Sequence, residues 1–197
     1  SEFAKYSDVP VINALSDVEH PCQALADLVT IMDKVGKLKG ASVAFIGDGN
    51  NVASSLCLAA TSVGSKFTIA SPSRYKLPKN ISDKARAIAE KTGGSFESLE
   101  NPKQAAKDAD VVYTDVWVSM GDEKSTKQRL VDFSGYIVDE KIMQNASPRA
   151  IFMHPMPAHY GQELPNGFLS KPFSEAYNQA ENRLHTQKAI LDSMIAN

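Results

Sequence analysis

Short runs rich in β-branched and aromatic residues recur along this chain with longer helical patterns between them. That alternation is the sequence form of an α/β domain with a parallel sheet. Five strands are expected, at 42–46, 66–70, 95–98, 110–113 and 150–153, most of them apolar enough to be covered on both faces. Residues 52–63, 82–92 and 102–108 read as crossover helices, with Gly64 and Gly93 placed where helix C-termini favour glycine. Helices over about 21–35 and 179–195 flank the sheet. With right-handed crossovers, the expectation is a single doubly wound, three-layer α/β domain over residues 1–197, Rossmann-like, with a five-stranded parallel sheet.

The composition bounds what such a domain can do. Hydrophobic residues make up 43% and charged residues 22% of the 197, which suits one folded core. The formal charge is −2 and no long block of Lys and Arg occurs, so neither nucleic acid nor an anionic membrane is expected as partner. No apolar run approaches bilayer length, and the start, Ser1-Glu2-Phe3-Ala4-Lys5, has no secretory apolar region. Cys22 and Cys57 lack a C-x-x-C spacing, so no disulfide framework or zinc site is signalled, and a reducing, cytoplasmic compartment is expected. The amphipathic stretch that begins at once, without Met, reads as part of a longer chain.

Ligands of an open parallel sheet bind beyond the carboxyl ends of the strands. Four motifs belong there or at helix starts. Gly47-Asp48-Gly49-Asn50-Asn51-Val52 joins a strand to a helix, but its third fingerprint position is Val52, a partial dinucleotide match. Ser71, Ser73 and Arg74 beyond the second strand keep an NADP-dependent reductase open. His20-Pro21-Cys22-Gln23 opens an apolar helical pattern, where His20 and Gln23 are either ligands or capping groups. Asp115-Val116-Trp117-Val118-Ser119-Met120-Gly121 offers a carboxylate for a substrate ammonium; alternatively Asp115 caps the next helix and Trp117 fills the core. His154-Pro155-Met156-Pro157 stiffens the backbone and leaves carbonyls free to accept. The spacing of His154, His159 and His185 matches no ordinary metal-ligand pattern, and no metal is expected.

Taken in chain order, the motifs at His20, Gly47, Asp115 and His154, followed by Ala180-Glu181-Asn182-Arg183, resemble those of the ornithine carbamoyltransferase family, from about residue 3 to the end. The resemblance implies attack of the L-ornithine side-chain amine on carbamoyl phosphate, giving L-citrulline and phosphate without cofactor. It implies that Asn51, Asp115, Ser119 and Met120 bind ornithine, Asp115 pairing its α-ammonium, with Pro155 and Met156 lining the same side. His20 and Arg183 would donate to the carbamoyl oxygen, and Gln23 would orient the carbamoyl amide.

Two departures stand out. Where ornithine enzymes usually read His-Cys-Leu-Pro, this chain has Pro155 and Met156, and a proline supplies no thiol. Lysine, putrescine or an acetylated ornithine therefore stay open as acceptors, as does a catalytically dead amino-acid-binding or regulatory subunit. The family's phosphate-binding Ser-x-Arg-Thr-Arg motif does not occur in the 197 residues. The expectation is an ornithine-binding domain without the N-terminal carbamoyl-phosphate domain, inactive alone, from a parent that forms a homotrimer.

Overall fold

A computed structural model describes residues 2–119 and 125–195. After a short helix α1 (Glu2–Lys5) and an extended lead comes α2 (Pro21–Val35). The chain then alternates: β1 (Ser42–Ile46), α3 (Asn51–Ser62), β2 (Lys66–Ala70), α4 (Lys79–Thr92), β3 (Ser95–Leu99), α5 (Pro102–Ala106) and β4 (Val111–Thr114). Two short helices, α6 (Thr126–Asp132) and α7 (Glu140–Met143), precede β5 (Ile151–Met153), and the long α8 (Ala176–Ile195) closes the described chain.

All strand pairs are parallel and the order is β3-β2-β1-β4-β5. The chain therefore builds outward from β1 on one side, then returns to pair β4 on the other, which puts the switch point between β1 and β4. Alternation along β1 sends Val43 and Phe45 into one core, with Leu56, Phe67, Ile69 and Tyr113, and Ala44 and Ile46 into the other, with Val112, Ile142, Phe152 and Phe168. Both faces of the sheet are thus covered, and the three-layer expectation holds.

The strands lie within one residue of their expected positions, and α2 matches its expected span. Pro21 starts α2 where its missing N–H costs nothing, and Gly36 ends it in the left-handed conformation, φ 80°. Three helix boundaries differ by more than one residue. α4 begins at Lys79, directly after Pro78, three residues ahead of the expected start. α5 stops at Ala106 because Lys107 turns extended and Asp108 takes φ 56°. α8 begins at Ala176, since Glu175 N–H is still tied to the Phe152 carbonyl of β5 at 2.8 Å. The helices α1, α6 and α7 have no counterpart in the sequence reading; none exceeds seven residues, too short for a period to register.

Candidate active site

Three chain segments converge at the carboxyl edge of the sheet: the turn after β1, the loop after β4 and the loop after β5. Asn50 caps α3, its Oδ1 accepting from Ala53 N–H, while its Nδ2 donates to Asp115 Oδ2 at 2.7 Å. Asp115 lies directly beyond β4 and is 7% exposed; its other oxygen accepts from Val116 N–H. Burial pushes its carboxyl above the usual range, with His154 and Asn50 pulling the other way. It caps no helix among the described residues, where the next α-helix begins at Thr126. Trp117 does fill the core, stacked on Phe133 at 5.8 Å between centroids. Ser119 is half-buried at the edge of the described loop, and Met120 lies outside the described residues.

Asn51 opens α3 beside Asn50, but its amide donates to the Ser16 carbonyl, 2.7 Å away, so the neighbouring Asn50 is the residue that reaches Asp115. Beyond β5, His154 is buried; its Nδ1 accepts from Met156 N–H at 2.9 Å and its Nε2 lies 3.3 Å from Glu163 Oε1. Pro155 and Met156 are half-buried, and among the described residues no N–H donates to either carbonyl. His185 sits exposed on α8 near Glu181. No group of three or more His, Cys, Asp or Glu side chains gathers around one point among the described residues.

A second cluster faces these loops from α2 and α8. His20 precedes α2 without capping it; its N–H donates to Ser55 of α3, and its Nδ1 is buried without a partner among the described residues. Burial and the charge of Arg183 lower its pKa, which keeps the imidazole neutral at pH 7. Gln23 is 1% exposed with its Nε2 on Asp27, so it is a buried group and no cap. Arg183, half-buried on α8, acts on both His20 and Asp27.

The glycine pair has a packing explanation. A Cβ on Gly49 would meet the Leu77 backbone nitrogen at 2.4 Å, and Gly49 N–H donates to Tyr75 O at 2.8 Å. The second glycine thus serves chain contact. Ser71 is buried and Arg74 faces Asp132 at 3.9 Å, neither arranged as a phosphate clamp.

The sequence profile of a domain described as aspartate/ornithine carbamoyltransferase, Asp/Orn binding, matches residues 39–194. The chain belongs to the aspartate/ornithine carbamoyltransferase family. The profile of the family's carbamoyl-P binding domain matches residues 1–33, so His20, Gln23 and most of α2 fall in that portion. An ornithine carbamoyltransferase of Thermococcus kodakarensis is 47% identical over 190 residues, 96% of this chain and 60% of the relative. An anabolic ornithine carbamoyltransferase of Pyrococcus furiosus is 48% identical over the same share of each. The solved structure of a Pyrococcus furiosus ornithine carbamoyltransferase superposes with TM-score 0.96 at 46% identity, covering 100% of this chain and 63% of that one. The chain thus spans about three fifths of the curated relatives it matches.

Several residues of this candidate site escaped the sequence reading. Asn50 stood inside a recognised motif, and only the fold distinguishes it from Asn51. Asp27 carried a usable signal, a carboxylate one turn after Gln23 on an apolar face. Arg129, 6% exposed, donates its Nε to Trp117 O, pairs with Asp48 and lies against the Tyr75 and Phe133 rings. Glu163 sits in irregular chain with no pattern to mark it.

Proposed function

We propose that this chain supplies the amino-acid half of a carbamoyltransferase site, at which the side-chain amine of L-ornithine attacks carbamoyl phosphate. The new N–C bond forms first, making the carbamoyl carbon tetrahedral, and its collapse breaks the C–O bond to phosphate, giving L-citrulline and inorganic phosphate, with the amine proton leaving to phosphate or solvent. The observation that carries the reading is the buried Asp115 carboxylate, held by Asn50 across the switch point of the sheet. A substrate α-ammonium brought against it would offset the burial that opposes its ionisation.

The residue roles are those of the family. Ser119, Met120, Asn51, Pro155 and Met156 surround the amino acid. His20 and Arg183 donate to the carbamoyl oxygen as its carbon becomes tetrahedral, and such donors act most strongly where charge develops away from water. The neutral imidazole of His20, with Nδ1 unsatisfied, suits a ligand-facing group. Gln23 receives the carbamoyl amide. An amine with an ordinary pKa of about 10.4 must lose its proton before attack, which desolvation favours. The names of the relatives support ornithine as acceptor, and a homotrimer is the proposed assembly.

The test is citrulline formation by the chain alone and by the chain joined behind the N-terminal segment of the Pyrococcus furiosus relative that it does not cover. Ornithine, lysine, putrescine and acetylornithine are compared as acceptors. Transfer to ornithine by the joined protein alone is expected. Preference for another amine would make Pro155 a specificity residue; binding of an amino acid without transfer would point to a regulatory subunit.

A further inference from the structure

Asp27 is fully buried and, among the described residues, makes no salt bridge. A carboxylate taken out of water without a touching cation must have its oxygens satisfied. Oδ1 accepts from Gln23 Nε2 at 2.9 Å and from Gln179 Nε2 at 2.7 Å, and Oδ2 accepts from the Tyr113 hydroxyl at 3.0 Å. An ionised carboxylate only accepts. It therefore selects which end of each amide faces it. The Gln23 NH2 group must turn inward, which leaves its Oε1 directed elsewhere, buried and without a partner among the described residues. Gln179 obeys the same constraint: its NH2 group also donates to the Tyr113 oxygen at 2.9 Å, and its Oε1 accepts from His154 N–H at 2.8 Å. A continuous run of buried hydrogen bonds thus leads from the first turn of α2, through Asp27 and α8, to the end of β5.

We propose that Asp27 is a positioning residue of the transfer site: it holds the Gln23 amide with its carbonyl oxygen turned out to accept a carbamoyl N–H, and through Gln179 it ties that setting to the backbone at His154. The inference rests on the functional reading above. Protonation of Asp27 converts an acceptor into a donor and releases the Gln23 amide to turn over. Burial raises this carboxyl to about 7, against the opposing hydrogen bonds of Gln23, Gln179 and Tyr113 and the charge of Arg183. Of the groups that face it, Tyr113 is held protonated by its own burial, and Arg183 carries a guanidinium, which does not deprotonate in proteins. Asp27 is then the group that changes state.

Two measurements test this. The first follows the side-chain NH2 signals of Gln23 and Gln179 by 15N NMR on this chain from about pH 5 to about pH 9. Both should move with one shared midpoint, the movement should vanish in Asp27→Asn, and Tyr113→Phe should raise the midpoint because it removes a bond to the ionised form. The second compares Asp27→Asn with the wild type in the joined protein. The KM for carbamoyl phosphate should rise at least tenfold while that for ornithine stays within about twofold, and the wild-type KM for carbamoyl phosphate should fall as pH rises through the NMR midpoint. A Gln23 signal indifferent to pH and to both substitutions overturns the proposal, as does a variant whose two KM values rise together. Should the wild-type joined protein transfer nothing, the functional reading fails while the titration still decides the setting of Gln23.

Discussion

The Asn50 amide donates to the Asp115 carboxylate across 2.7 Å, joining the turn after β1 to the end of β4 over the point where the sheet reverses its order. Asn50 also caps α3, so one side chain serves both helix and site. Asn50→Ala should lower stability by about 2–3 kcal/mol, from a lost cap and an unsatisfied buried oxygen. Asn50→Asp keeps the cap but sets a second carboxylate beside Asp115, and like charges oppose ionisation. Urea unfolding should rank the alanine variant below the aspartate variant at low pH, with the aspartate variant losing ground as pH rises.

Arg129 binds three loops together, through Asp48, the Trp117 carbonyl and the Tyr75 ring. Arg129→Gln removes a buried cation and leaves Asp48 without it, a change that costs about 3–5 kcal/mol in pairs of this kind. Amino-acid affinity should fall with stability, because Trp117 lies two residues before Ser119. Arg129→Lys should restore little, since an ammonium lacks the planar fork that bonds the carbonyl and the carboxylate together. Unchanged unfolding in Arg129→Gln would contradict this account.

Gly49 is needed for space. Its added methyl in Gly49→Ala would lie 2.4 Å from a backbone nitrogen, which cannot move aside as a flexible side chain can. A loss of about 1–3 kcal/mol is expected from such overpacking, read by thermal unfolding. No nicotinamide cofactor should change the melting temperature of the wild type, in contrast to a dinucleotide reading of the same glycines.

Asp27 gives stability a pH dependence of known sign. Its carboxyl sits at about 7 in the fold against 3.8 for an ordinary aspartate. Between those values the folded chain keeps a proton that the unfolded chain has released. Stability from this group therefore falls as pH rises from about 4 to about 7, by on the order of 4 kcal/mol in all. The wild type should lose ground to Asp27→Asn across that window and hold a constant difference above about pH 8. Urea titrations near pH 5 and near pH 8 decide it; a wild type that gains on the variant as pH rises would reverse the assignment.

Much of this protein is local information. Apolar runs separated by helical periods place most of the strands, because burial on both sheet faces forces continuous hydrophobicity, while the edge strand β3 is more polar and more exposed. Pro21, Gly64 and Gly93 mark helix ends through their own backbone preferences, and the ordered motifs point to the family before any coordinate is known. What escapes is contact across the chain. Asn50 and Asp115 stand 65 residues apart and Asp48 and Arg129 stand 81 apart. Asp27 and Gln179 stand 152 apart. No periodicity spans such distances. Each pair meets only because parallel crossovers return every strand to the same edge and α8 folds back onto α2. The residue types that can do this chemistry are therefore read from the sequence, whereas the partner that orients each of them is decided by the tertiary fold, since a buried polar group is satisfied by whatever packing brings within hydrogen-bond reach.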